Sequence, residues 1–123
     1  MALYRQARVA GLPSKIKVLA DSTNEFLVPL EFGGSTPENL WLAMTWYHGG
    51  YRHVPMGRRL YEDHLRHTGN ALPSRFISTG HAALHAYAAA IRRCGRTSTG
   101  PVIGALEGLT FETAKGPVTF RRE

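Results

Sequence analysis

A single cysteine, Cys94, stands in the 123 residues. It excludes an intrachain disulfide and any zinc site built on paired cysteines. Just ahead of Gly95, at an expected helix end, it reads as a small packing residue. No apolar run approaches the length of a membrane-spanning helix. The first twelve residues contain Arg5, Gln6 and Arg8, so they lack the continuous apolar stretch of a signal peptide. Internal repeats and low-complexity stretches are missing as well. So are the catalytic signatures with firm spacing. There is no Gly-x-Ser-x-Gly nucleophile elbow, and Gly33-Gly34 and Gly49-Gly50 are too short for a phosphate loop or a dinucleotide fingerprint. No constellation for bond chemistry is visible. The expectation is a protein that is not an enzyme, with no catalytic residues and no cofactor.

Acidic residues are scarce: nine Asp and Glu face fifteen Lys and Arg, giving a net charge of +6 and an isoelectric point near 10.0. Such a balance favours acidic partners. The cations, mostly Arg, are scattered singly or in pairs, the longest runs being Arg58-Arg59, Arg92-Arg93 and Arg121-Arg122. Without a block of five or more like charges they read as a solvated surface, and no nucleic acid is expected as a partner. The alternative is a small basic nucleic-acid- or protein-interaction domain. It requires Arg5, Arg8, Arg58, Arg59, Arg92 and Arg93 to converge on one face.

Hydrophobic residues, at 43%, are plentiful enough for a core, and the chain has the length of one domain. Ala2–Ala10 reads as an amphipathic helix ended by Gly11. Lys15–Ala20 reads as a short strand, followed by a polar stretch in which Ser22 or Thr23 caps a helix over Asn24–Phe32, with Glu25 in its first turn. Asn39–Tyr47 is apolar on both faces, the pattern of a buried strand in an α/β sheet. Met56–Thr68 is a helix with Leu60, Tyr61 and Leu65 inward, stopped by Gly69. From Thr79 to Cys94 runs an Ala-rich helix capped by Ser78 or Thr79. Its stripe of Leu84, Tyr87, Ala88 and Ile91 faces inward, and its small residues let a neighbour approach closely. Thr97–Leu106 is a shorter helix, and Leu109–Phe111 and Pro117–Phe120 are β-type runs joined through Lys115-Gly116.

In an α/β sheet, ligands bind beyond the carboxyl ends of strands. Asp21 and Ser22 follow one such strand and Trp46 and Tyr47 end another. A carboxylate and a hydroxyl can meet the ammonium of an amino acid, and aromatics wall a pocket while lending a polar tip. Asp21, Ser22, Tyr47 and Trp46 are therefore the candidate ligand-binding residues. His81 and His85 are four apart on one helix, and His64 and His67 three apart on another. No Glu lies between His81 and His85 in the pattern of a zinc peptidase, and two ligands leave a metal's other sites unfilled, so no metal is expected. A His-dependent enzyme would need His81 and His85 to face a pocket together with an acidic residue.

The order of pieces carries a resemblance. The segment Y-E-D-H-L-R-H-T-G-N-A-L-P at Tyr61–Pro73 leads into the Ala-rich helix; then come A-L-E-G-L and the ending T-F-E-T-A-K-G-P-V-T-F. Together these resemble the C-terminal part of the type I periplasmic solute-binding proteins, in the branched-chain amino acid (Leu/Ile/Val) branch that serves ABC transporters. Upstream, L-Y-R-Q-A-R-V-A-G-L with Lys15–Leu19 is similar to the helix, Gly and strand of that family's second lobe. The resemblance implies an α/β chain holding parts of two Rossmann-like lobes, truncated at the N-terminus. Residues 1–48 would belong to lobe II and 49–106 to lobe I, with 107–123 returning to lobe II. Crossovers would fall at Tyr47–Tyr51 and near Leu106–Phe111. It implies an amino acid or similar small polar solute as ligand, with an acidic residue near Asp21 touching it, and an ABC permease as partner. The location implied is periplasmic. With the first lobe's carboxylate-binding residues missing, binding by the chain alone is expected to be incomplete. Exposed strand edges would favour a homodimer.

Overall fold

A computed structural model describes residues 2–22 and 26–122. The expected cap at Thr23 and the first-turn Glu25 lie outside the described residues. The chain forms two compact units, Met1–Thr45 and Trp46–Glu123, and each is taken by itself.

In the first unit, α1 spans Ala2–Val9 and buries Tyr4 and Ala7 on one face. After Gly11 a single 3₁₀ turn, Leu12–Ser14, takes Pro13. The strand expected over Lys15–Ala20 is shorter and later: β1 is Leu19–Asp21. The Asn39 side chain explains the loss. Its amide donates to the carbonyls of Pro13 at 3.3 Å and Ile16 at 3.1 Å, so this stretch is held by a side chain and not by a ladder. Helix α2 is Leu27–Phe32, with Pro29 in its first turn, where helix N–H groups have no intrahelical acceptor.

Strand β2 is Leu40–Leu42, far shorter than the expected run to Tyr47. It pairs in parallel with β1, Leu19 opposite Leu40 and Asp21 opposite Leu42. The ladder stops where β1 stops, with the Ala43 N–H donating to the Asp21 carbonyl. Nor is it buried on both faces, since Trp41 is 70% exposed. A strand is buried on both faces only where helices or a second sheet pack on each side, and the Trp41 side of β2 faces solvent.

The second unit is mostly helical. Helix α3, Pro55–Thr68, starts with Pro at its first position and ends at Gly69 in the left-handed conformation; α4, Phe76–Cys94, ends likewise at Gly95. Helix α4 begins ahead of the expected cap. Ser78 lies inside its first turn and donates to the Arg75 carbonyl, while Ser74 Oγ accepts from the Phe76 N–H. The inward stripe also differs from expectation. Leu84 is 73% and Tyr87 56% exposed, whereas Ala86, Ala90 and Ser78 are buried. Ile91 of the expected stripe is half-buried and packs against Ala90, Val102 and Ala105. Leu65 of α3, expected inward, is exposed for its part, and Leu60 is buried.

Helix α5, Thr99–Leu106, packs on α4: Ala90 meets Val102 and Ala105, with Ile91, Cys94, Leu106 and Leu109 around them. Strands β3, Thr110–Thr113, and β4, Gly116–Thr119, form an antiparallel hairpin against α4. Buried Thr113 fixes its turn, donating to the Gly116 carbonyl and accepting from the Lys115 N–H. A second cluster joins Trp46, Leu60 and Ala114, flanked by Tyr51, Tyr61 and Ile77. There Gly57 of α3 passes so close that an added Cβ would stand 2.4 Å from the Ala114 carbonyl oxygen.

The architecture is thus a mixed helix and strand chain with one parallel and one antiparallel two-stranded sheet, α/β in the broad sense. The segment 107–123 lies in the same unit as α3, α4 and α5. No helix among the described residues is long and apolar enough to cross a membrane.

Candidate functional site

Four residues were expected at the site, and the structure places them in two pairs, one in each unit. Asp21 closes β1 and Ser22 follows it, exposed. Asp21 lies at the carboxyl end of the parallel pair and accepts a hydrogen bond from the Tyr4 hydroxyl of α1. Tyr4 is itself set by an edge-to-face contact with Phe32, 6.2 Å between ring centroids. The phenol anchors the carboxylate at the strand end, and a carboxylate accepts several hydrogen bonds at once.

The second pair heads the second unit. Trp46 is buried in the Leu60–Ala114 cluster, and its Nε1 has no hydrogen-bond partner among the described residues. Tyr47 is half exposed and lies over Gly49, where an added Cβ would stand 2.6 Å from the ring. Its ring is 4.9 Å from that of His48, which stacks on Tyr61 at 4.3 Å and an interplanar angle of 7°. Burial, then the charges of Arg52 and His64, hold His48 below the ordinary imidazole pKa.

A third locality brings together residues that the sequence offers only separately. His81 and His85 of α4 stack at 4.2 Å and line a cavity of about 700 Å³ with Arg59 and Asp63 of α3 and Glu112 of β3. Burial, and then His85, lower the His81 pKa. The i, i+4 histidine spacing is the signal that sequence reading can find. Glu112, Arg59 and Asp63 arrive through tertiary packing, and nothing in their local sequence announces it. The other histidine pair is engaged locally, His67 Nδ1 lying 2.7 Å from the Asp63 carbonyl and His64 Nε2 3.3 Å from Thr68 Oγ1. Among the described residues no group of three or more His, Cys, Asp or Glu side chains comes together as a metal site.

Several of the arginines that a basic interaction surface would need are committed elsewhere. Arg5 pairs with Glu31 at 2.7 Å, Arg59 lies 3.9 Å from Asp63, and Arg93 donates to the Ala105 carbonyl at 3.2 Å.

In comparisons with known proteins, no family model matches the chain, and no match is found among curated proteins or solved structures.

Proposed function

We propose that this chain is the C-terminal part of a type I solute-binding component of an ABC transporter, taking an amino acid or a similar small polar solute. The observation that carries the reading is Asp21. It is a carboxylate at the carboxyl end of a parallel strand pair, anchored by Tyr4 and followed by Ser22. That is where α/β sheets hold ligands, and a carboxylate beside a hydroxyl suits an ammonium. The order of α3, Gly69, Pro73, α4, α5 and the hairpin accords with the resemblance of Tyr61–Phe120 to that family. In this reading the partial fold holds pieces of two Rossmann-like lobes. Its work is binding and closure, with no bond chemistry, and delivery to a permease from the periplasm. Each described sheet has two strands, so every strand keeps an unpaired edge, and self-association through such edges belongs to the same proposal.

A thermal-shift screen of the chain against a panel of amino acids, with short DNA as control, tests it. A ligand that binds only the folded form raises the melting midpoint by mass action. The reading expects a rise with at least one amino acid that Asp21→Asn abolishes. Silence across the panel contradicts a usable half-site at Asp21, and a salt-sensitive rise with DNA alone favours the basic interaction domain.

A further inference from the structure

Helix α4 leaves one face without a partner, and that face carries no charge. Phe76, Gly80, Ala83, Leu84 and Tyr87 fall at helical spacing within an arc of roughly 100°. All five are exposed, Phe76 by 65%, Leu84 by 73% and Tyr87 by 56%. Nothing stands within 4 Å of a Cβ built on Gly80. From Phe76 to Ile91 the helix has no Asp, Glu, Lys or Arg, whereas the solvent face of a surface helix ordinarily carries them. An exposed apolar face of this kind marks a contact surface.

Charge at its borders selects what makes the contact. The first unit has four Lys and Arg against four Asp and Glu, and the second eleven against five, so the whole net charge of +6 belongs to the unit that holds α4. From His64 to Leu106 there is no acidic residue, and there are five Arg. Arg66 pairs with Asp63, and Arg93 donates to the Ala105 carbonyl. The other three stand at the two ends of the face. The Arg75 guanidinium lies over the Phe76 ring at 4.8 Å. Arg92 in the last turn and Arg96 just past Gly95 are exposed and make no ion pair among the described residues. Of the unit's acids, Glu107 closes α5, and Asp63 and Glu112 line the cavity with His81 and His85, roughly a third of a turn or more round α4 from Tyr87. We propose that this face of α4 seats the chain on an anionic phospholipid bilayer, with Phe76, Leu84 and Tyr87 entering the headgroup boundary and Arg75, Arg92 and Arg96 meeting the phosphates.

Side chains more than half exposed project from the helix, and a fluid boundary takes projecting apolar groups without a matching cleft. Arginine keeps its charge and donates to phosphate oxygens in pairs, while its stem lies along apolar surface. The helix is not long and apolar enough to cross a membrane, so the contact stays at the surface. A second copy would bring the same arginines and the same net charge to the same face, and like charges oppose it. None of this draws on Asp21 or on the solute reading.

Flotation of the full chain with vesicles tests the proposal, neutral phosphatidylcholine against phosphatidylcholine with about 30% phosphatidylglycerol. The chain is expected to float with the anionic vesicles and to stay behind with the neutral ones, and added salt should weaken the attachment. Leu84→Gln with Tyr87→Gln, both at exposed positions, keeps the melting midpoint and lowers the vesicle partition coefficient roughly tenfold or more. Arg92→Gln with Arg96→Gln lowers it by a similar factor. Leu3→Gln, at a comparably exposed leucine of α1, leaves it unchanged and separates insertion at α4 from the general attraction of a basic chain. The proposal is overturned if anionic vesicles do not carry the chain, if the Leu84 and Tyr87 double variant floats as well as the parent, or if Leu3→Gln weakens flotation as much. It is overturned equally if the chain without lipid is a dimer that Leu84→Gln dissolves, since a second copy then covers the face.

Discussion

The two units are held together by different means. In Trp46–Glu123, two apolar clusters form around Trp46, Leu60 and Ala114 and around Ala90, Val102 and Ala105. In Met1–Thr45 the only buried apolar side chains among the described residues are Tyr4 and Ala7. There the elements are tied by directed polar contacts: Tyr4 to Asp21, Arg5 to Glu31, and Asn39 to two carbonyls. A hydrogen bond contributes about 1 kcal/mol net and an exposed ion pair about 0–1 kcal/mol. Full burial of one large apolar side chain contributes about 1.5–3 kcal/mol. By these magnitudes the second unit carries the chain's stability, while the first presents a carboxylate on a lightly built frame.

The change with the largest expected effect is Trp46→Ala. It should cost about 3–5 kcal/mol in denaturant unfolding, because it empties the centre of a core cluster. Gly57→Ala follows, at about 1–3 kcal/mol, since its Cβ would meet a backbone oxygen that cannot swing aside as a side chain can. In the first unit, Tyr4→Phe should cost about 1 kcal/mol and should loosen only that unit's amides in hydrogen exchange. An effect of that size on α4 protection would break the comparison.

The pH dependence sharpens it further. His48 and His81 both lie in the second unit, with pKa values below that of an unfolded histidine. The unfolded chain therefore binds more protons through this range, and stability is lost as pH falls from about 7 toward the folded values. Denaturation midpoints should drop over that interval, and His81→Gln should flatten the slope. The smallest effect is expected at Leu84. Although it is large and lies on the helix with the most buried alanines, it faces solvent, and Leu84→Gln should change stability by less than about 0.5 kcal/mol.

Helices were legible in the sequence because their stops are chemical: Gly69 and Gly95 end α3 and α4, and Ser98 stands just before α5. The hairpin was legible from two short runs around Lys115-Gly116. Strand lengths were not. Alternation over Lys15–Ala20 carries no hint that Asn39 would claim the carbonyls of Pro13 and Ile16, and the apolar run after Asn39 does not reveal how narrow its sheet is. The inward face of α4 departs from the sequence pattern for a related reason. Side-chain size ranks Leu84 and Tyr87 first, whereas the α4 residues at the contact with α5 are Ala90, with Ile91 and Cys94 packed beside it. At the candidate site, Asp21 and Ser22 could be named from strand-end logic, but not Tyr4, which comes from α1. Glu112, Arg59 and Asp63 of the histidine cavity were equally hidden, each on a different stretch from the helix they face.

Native-state hydrogen exchange, read residue by residue on the full chain, tests the inequality of the two units most directly. Protection reports the free energy of the smallest opening that exposes each amide. The account predicts the slowest exchange at Ala86–Ala90, at Val102–Ala105 and in β3, with α1, β1 and β2 exchanging through smaller openings. Equal protection across β1, β2 and α4, rising and falling together with denaturant, would contradict it.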